Sequence, residues 1–573
     1  MADQRRKLHR QRSRVRRLIP IVFFVILILC ISLVLGVFFR YKPSNEQYTL
    51  TDYYQMQEGD VAVIIGEEVS EEHARQIGDS VYLPYTLLQS SVNDRFYWDA
   101  SQNKLLYTTA SEVLSYDLGE DVMLLDGAVW VSLELVQVHT PMECEQYESP
   151  ARVVMDTQAR EVTTAQVDSD TQVRYRGGIK SPILTQVKQG DTVRVLEHGE
   201  DWTQVRTQDG LVGYIQKRYL TDEQVVMLDI ASKNDGFISL VRDHKICMVW
   251  HQVTSVAQND NISSRLAQTK GINVVSPTWF YIADGSGSIT SLASSAYVEY
   301  VHGLGMEVWG LVDNFTTPDL PMSEILGSAS TRAHMIDQLI QYAAEYSLDG
   351  INVDFEELGE DTGESFVQFI RELALRCHEN NLVLSVDNHV PYQFNSFYNM
   401  EEQSAFADYI IMMSYDEHLN ESTGAGSVAS IEYVTTAIER TLQQGVPAEK
   451  LINAVPFYTR IWSETPMSAE EAAAAASGGE RESYTLGWET LGMASAAEQV
   501  AQHGASPVWD DTLKQNYAEY TVDGVNYKVW LEDTQSLEER LKVMQASGVG
   551  GFAAWKLGLE SSDVWDVIIN YYP

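Results

Sequence analysis

Eight short apolar runs between residues 240 and 573, most followed by a stretch with apolar residues three and four apart, predict an α/β fold closed into a (β/α)8 barrel. Two further observations frame it. An uncharged run at 18–39 predicts an N-terminal transmembrane helix, and evenly punctuated strand-like runs between 59 and 222 predict small β-rich domains ahead of the barrel. The chain has 573 residues, and a prior of about 150 residues per domain gives about four units. Its net charge of −41 argues against a nucleic-acid binder, because phosphate contacts need a basic face. A composition 45% hydrophobic and 21% charged excludes a disordered chain. Four cysteines exclude a disulfide scaffold. Cys30 lies in the apolar run, and Cys144, Cys247 and Cys377 lack metal-site spacing, so they read as buried thiols.

Residues 1–17 are a basic tail, with Arg16 and Arg17 abutting the apolar segment and Asp3 as the one acid. The run LIPIVFFVILILCISLVLGVFF at 18–39, at a helical rise of ~1.5 Å per residue, crosses a hydrocarbon layer of ~30 Å. The basic flank is expected to stay cytoplasmic and everything after Arg40 to lie outside, a single-pass cell-membrane arrangement. A cleaved signal peptide would have a shorter apolar stretch and a small-x-small exit, which VLGVFFRYK does not offer. Without the basic tail, residues 18–573 carry −48, which reads as a solvated acidic surface.

Residues 40–58 read as a polar linker. From 59 to 165, DVAVIIGEEV, SVYLPYTLL, KLLYTT and DVMLLDGAVWVSLELV are strand-like, the last with an Asp126-Gly127 hairpin signal. VYLPYTLL and the cadence DGAVWVSLELV resemble the small non-catalytic domain at the amino end of copper amine oxidases, which implies a small α+β or β spacer or wall-contact module. No copper is expected, since the region has no His cluster. Residues 170–222 alternate apolar and polar positions over about five strands, broken at Gly190-Asp191, Gly199-Glu200 and Asp209-Gly210. With Trp202 and Gly213-Tyr214 this segment resembles a bacterial SH3 domain, a small all-β SH3-like barrel whose relatives bind cell-wall peptides. Trp202 is expected to fill its core rather than to bind a peptide, while Tyr214 is open to either reading.

The barrel strands are drawn at KICMVWHQV (245–253), INVVSPTWFYI (272–282), MEVWGLV (306–312), GINVDFE (350–356), LVLSVDN (382–388), DYIIMMSYD (408–416), LINAVPFY (451–458) and GVGGFAAWKL (548–557). STRAHMIDQLIQYAAEYS and ESFVQFIRELALRCHEN have the spacing of amphipathic helices. Periodicity alone also allows an open doubly wound sheet. The count of eight favours a closed TIM barrel, with its chemistry at the carboxyl ends of the strands. In Asp349-Gly350-Ile351-Asn352-Val353-Asp354-Phe355-Glu356, the strand period of two puts Asn352, Asp354 and Glu356 on one face. Charges pointing into a barrel are costly without partners or a task. A carboxylate at 354 disfavours a second negative charge at 356, which suits Glu356 as a proton donor. Acids at strand ends are otherwise solvated or ion-paired.

DGINVDFE resembles the D-G-x-D-x-D-x-E signature of glycoside hydrolase family 18, the chitinase and N-acetylglucosaminidase family. MSYD at 413–416, VPFYTR at 455–460 and AAW ending at Trp555 are similar to that family's sixth-, seventh- and eighth-strand segments. The resemblance implies substrate-assisted retaining hydrolysis, in which the sugar's own 2-acetamido oxygen is the nucleophile. Glu356 would protonate the leaving oxygen and later activate water, Asp354 would orient the acetamido group, and Tyr415 would hold its carbonyl. Asp416 would shape the site and Trp555 would floor it. Tyr458, Arg460 and Trp279 are further substrate-binding candidates, with Arg460 equally readable as an ion-pair partner. Asn352 stands where many chitinases have Asp, and the Asn form resembles the spore-cortex and cell-wall branch acting on peptidoglycan. Asp349 falls outside the alternating set and reads as structural.

Residues 463–530 read as an insertion, Ala-rich at 468–483, where it is expected to be helical and then flexible, and with a hairpin at Asp523-Gly524; it reads equally as a wall of a substrate groove or as a peripheral decoration. The expected function is a membrane-anchored extracellular glycoside hydrolase cleaving β-linked N-acetylglucosaminyl bonds in peptidoglycan, without metal or other cofactor. The alternatives are a chitinase-type hydrolase of other N-acetylglucosamine polymers, or a non-catalytic glycan-binding or cell-wall scaffold protein.

Overall fold

Strands apolar on both faces need cover on both. The computed structural model describes residues 2–572 apart from 234–235, 420–421, 423 and 469–483, and side chains from residue 20 onward. Among the described residues, eight parallel strands close into a barrel: β1 (Ile246–His251), β2 (Val274–Ile282), β3 (Glu307–Asp313), β4 (Gly350–Asp354), β5 (Val383–His389), β6 (Tyr409–Met413), β7 (Leu451–Pro456) and β8 (Gly551–Trp555). β8 pairs in parallel with β1, Ile246 opposite Gly551, and this pairing excludes the open sheet.

Alternate residues divide the strands as a period of two requires. Met248, Trp250, Trp309, Leu311, Tyr409 and Ile411 fill the inside, while Cys247, Val249, Val308 and Ile351 pack outward under the helices. Gly350 is glycine because Trp309 crosses it: a Cβ there would lie 2.8 Å from the indole and 2.7 Å from the Val383 carbonyl oxygen. The helix Gly363–Glu379 buries Phe366, Phe369, Ile370, Leu373 and Cys377, a stripe at helical spacing that seals the outside of the sheet.

The chain divides into two units, residues up to 94 with 119–235, and 95–118 with 236–573. The stretch 59–165, expected to be one module, is therefore split. Strands Phe96–Asp99, Lys104–Thr108 and Val113–Asp117 form a small antiparallel sheet within the barrel unit. Charge is the reason. The guanidinium of Arg95 is bidentate to the Glu402 carboxylate at 2.8 and 2.9 Å, and Asp99 meets Arg332 at 3.1 Å, all fully buried. Such charges need their partners, and those partners are on the barrel's helices.

In the other unit, Asp60–Ile65 and Ala151–Asp156 pair in parallel at the centre of a mixed sheet, and Asp126-Gly127 makes the expected tight turn with both φ positive. Seven strands between 160 and 228 form an antiparallel sheet over Val167, Val173, Val187, Val193, Val205 and Ile215. Neither Trp202 nor Tyr214 is in that core, contrary to the expectation for Trp202. They are half-buried, and the backbone of Gly177 approaches them so closely that a Cβ there would lie 3.2 Å from the Cβ of Trp202. The helix Ala2–Tyr41 includes Pro20–Tyr41, long and apolar enough to cross a membrane.

The insertion forms an antiparallel sheet that includes Tyr458–Pro466, Tyr484–Gly492, Gln515–Val522 and Val525–Leu531, packed by Ile461, Val500, Ala518 and Val529. The Asp523-Gly524 hairpin is present, with Val522 opposite Val525. The Ala-rich segment lies outside the described residues, Ser468 apart.

Candidate active site

A cavity of about 370 Å³ opens at the carboxyl ends of the strands, lined by Asp354, Glu356, Tyr415, Asp416, Tyr458 and Trp555 among others. Six of the nine expected residues thus meet in one place. The other three, Asn352, Arg460 and Trp279, do not line it.

Asn352 is fully buried beneath the cavity instead of contacting it. The Trp250 indole N–H donates to its Oδ1 at 2.9 Å, and the Ser276 hydroxyl donates to the same oxygen at 3.1 Å. An indole N–H can only donate, so the amide oxygen must face it and the NH2 must face the other way. That NH2 donates to Asp387 Oδ1 at 2.8 Å. Asn352 therefore ties β1, β2 and β5 together under the site.

Asp354 and Asp387 both line the cavity, and each has one buried oxygen, Oδ1 and Oδ2 respectively, without a hydrogen-bond partner. Burial pushes the Asp354 carboxyl well above the ordinary carboxylate range, and the charges of Asp387, Glu356 and Asp313 push the same way. Burial also raises Asp387, against the opposing hydrogen bond from Asn352. Asp313, raised by burial too, accepts from the Thr316 N–H at 2.8 Å and the Thr316 hydroxyl at 2.9 Å.

Glu356 stands just past β4, where Asn314 clamps its backbone. The Glu356 N–H donates to Asn314 Oδ1 at 2.9 Å, and the Asn314 NH2 donates to the Glu356 carbonyl at 2.9 Å. Its Oε2 lies 3.2 Å from His389 Nε2. Desolvation at the cavity wall lowers the His389 imidazole, but the hydrogen bond and charge of Glu356 outweigh it, so the net shift is upward.

Tyr415 is pushed far above the usual phenol value by burial, so its hydroxyl stays protonated and able to donate. Asp416, in a left-handed backbone conformation, accepts from the Tyr458 hydroxyl and pairs with Arg460 at 2.8 Å. Arg460 also donates to the His418 carbonyl at 2.9 Å. It pairs with Asp416, as its ion-pair reading has it, and does not line the cavity. Trp555 is half-buried in the cavity lining, its ring 6.0 Å from that of Trp250.

Trp279 corrects a substrate-binding expectation. It is fully buried on the outward face of β2, its indole N–H donating to Asn259 Oδ1 at 2.8 Å and its ring edge-on to Tyr297. An indole in that position is satisfied core. Asp349 is structural as expected, accepting from the Val308 N–H and meeting His302 Nε2, both at 2.8 Å.

The lining residues that the sequence did not single out include Trp250, Asp313, Asp387 and His389. Of these, Asp387 and His389 lie on β5. The signal for the last two was the same as for β4, since Ser385, Asp387 and His389 alternate along β5. Among the described residues, no group of three or more His, Cys, Asp or Glu side chains is arranged to hold a metal ion.

Two sequence profiles match this chain: glycosyl hydrolases family 18 over residues 316–560 and the bacterial SH3 domain over 169–221. With the closed barrel and the acid-lined cavity, the first match identifies the carboxyl-terminal region as a glycoside hydrolase family 18 domain. The profile begins after β3, while the barrel here is completed by β1–β3, which supply Trp250 and Asp313. Among curated relatives, the cortical fragment-lytic enzyme of Bacillus anthracis is 22% identical over 257 residues, 44% of this chain and 56% of that protein. The chitinase-like mite allergen Der p 18.0101 of Dermatophagoides pteronyssinus is 23% identical over 239 residues, 40% of this chain and 50% of its own. The chain therefore spans about half the length of these two relatives. Among solved structures, the Bacillus cereus spore cortex-lytic enzyme SleL shares the fold at 17% identity and a TM-score of 0.50, over 58% of this chain and 75% of that one.

Proposed function

We propose that the barrel hydrolyses β-linked N-acetylglucosaminyl bonds in peptidoglycan by substrate-assisted retaining hydrolysis, from a chain anchored in the cell membrane through residues 18–39 with its amino terminus cytoplasmic. The observation that carries this is the convergence of Glu356, Asp354 and Tyr415 on one cavity that Trp555 also lines. Glu356 gives its proton to the departing glycosidic oxygen while the 2-acetamido carbonyl oxygen closes on the anomeric carbon. Asp354 Oδ1, buried and unpartnered, accepts from the acetamido N–H. It is an acceptor whether or not the group carries a proton. The Tyr415 hydroxyl donates to the acetamido oxygen, and Trp555 packs under the ring. In the second half Glu356 takes a proton from water, which opens the intermediate with net retention.

The anchor and the SH3-like domain favour a wall substrate, since both keep the enzyme beside its own envelope. The relatives named as lytic for cortical fragments point the same way, while the chitinase-like relatives favour chitin as a second reading. The test is product analysis on purified peptidoglycan and chitin side by side. Wild type is expected to release reducing ends from peptidoglycan, with N-acetylglucosamine at the new end. Glu356→Gln is expected to lose about 10²–10⁴-fold in rate while remaining folded. Equal rates for the two proteins would remove Glu356 from the mechanism, and muramic-acid ends would reject the bond assignment.

A further inference from the structure

We propose that His389 and Glu356 share a single proton, so that the pair, and not the carboxyl alone, is the acid–base unit of the site. This rests on the reading of Glu356 as the acid.

Two strands meet to make the contact. β5 ends at His389, whose imidazole lines the cavity, and β4 delivers Glu356 just beyond its own end, with Nε2 and Oε2 3.2 Å apart. The Asn314 clamp holds the Glu356 backbone by two hydrogen bonds, so the carboxyl is presented to the imidazole from a fixed point. The groups around His389 are mainly acidic. Glu356 and Glu357 face it from the β4 side, and Asp416 faces it from the end of β6 with Arg460 behind. Asp387 precedes it on the same face of β5, one oxygen held by Asn352. The cation that reaches the following loop is Arg440 of the helix Ile431–Gln443, which donates to the Pro391 carbonyl at 3.2 Å and stacks over Tyr392. An imidazole so placed is poised to carry a proton that a neighbouring carboxylate can claim.

The proton count closes over a turnover. With one proton in the pair, the form that reacts is neutral imidazole beside the protonated carboxyl. Glu356 delivers that proton to the glycosidic oxygen as the C–O bond breaks, leaving carboxylate beside neutral imidazole. In the second half the carboxylate takes a proton from water as the hydroxyl adds to the anomeric carbon, and the pair is restored. Because the pair keeps one proton until the imidazole titrates, acid catalysis persists above the pH at which an isolated carboxyl would be stripped. His389 acts through Glu356 and is a positioning residue.

The experiment compares pH profiles of kcat/KM for the full-length wild type and His389→Gln, whose amide keeps a donor near Oε2 but does not titrate. The alkaline limb of the variant is expected to move down by about one pH unit or more, toward the carboxylate range, given unperturbed values of about 6.5 for imidazole and 4.3 for Glu. An unmoved limb in an active variant overturns the proposal. The second measurement needs no turnover: the NMR titration of His389 in ¹³C-histidine-labelled full chain in detergent, its resonance assigned by loss in His389→Gln. The midpoint is expected to fall in Glu356→Gln, and an unchanged midpoint overturns the proposal even if His389→Gln is inactive. A wild type that cleaves neither peptidoglycan nor chitin rejects the functional reading, while the NMR midpoints still decide the proton sharing.

Discussion

Asn352 illustrates how one buried amide organises an active site without touching its cavity. It receives the Trp250 N–H and the Ser276 hydroxyl, and it gives its own N–H to Asp387. Asn352→Ala leaves all three without a partner, and each lost buried contact costs about 1–3 kcal/mol. Urea unfolding of the barrel is expected to show a loss of at least about 2 kcal/mol on the same scale. The pH dependence follows from the directions of the shifts. His389 is raised on folding, so its pairing with Glu356 stabilises the barrel fully below the ordinary imidazole range and fades as pH rises through the raised value. Asp354 and Asp387 are raised acids, which bind protons more tightly folded than unfolded. Their contribution therefore also declines as pH climbs from the carboxylate range through their raised values. Stability measured against pH is expected to fall on the alkaline side, and more steeply in wild type than in Asp387→Asn.

Strands and small sheets decide which residues meet. β4 was legible because its polar residues sit two apart next to glycine. β5 carries the same alternation, yet the expected strand ended at Asn388 and excluded His389. The outward placement of Trp279 was not legible, since β2 has a register irregularity between Thr278 and Phe280 that only the pairing with β3 exposes. The sheet of residues 96–117 is the clearest case of an element assigned by charge. Its Arg95 shares Glu402 with Arg371, and their partners lie far away in the chain. Arg95→Met leaves Glu402 with one guanidinium fewer in a dry site. It is expected to destabilise the barrel unit by about 3 kcal/mol, read from its denaturant midpoint, since breaking a buried pair costs about 3–5 kcal/mol.

For the whole chain, the proposed tether is the apolar helix Pro20–Tyr41, and its removal tests the proposed anchoring. Deleting residues 1–40 is expected to move the protein from the membrane pellet to the soluble fraction, with Glu356-dependent release of reducing ends retained. Persistence in the pellet would remove residues 18–39 as the tether. By itself the sequence determined the strands, their two-residue alternation, the apolar helix and the presence of Asp354, Glu356, Tyr415 and Trp555 at strand ends, because these follow from local periodicity and chemistry. Only the tertiary structure decided that Asn352 joins Trp250, Ser276 and Asp387, that Arg460 pairs with Asp416, that Trp279 is core and that His389 meets Glu356. Each of those depends on which strand or helix becomes a neighbour. Neighbours in a closed barrel are set by the packing of segments tens to hundreds of residues apart, as with Asn352 and Asp387 across β4 and β5 or Arg95 and Glu402.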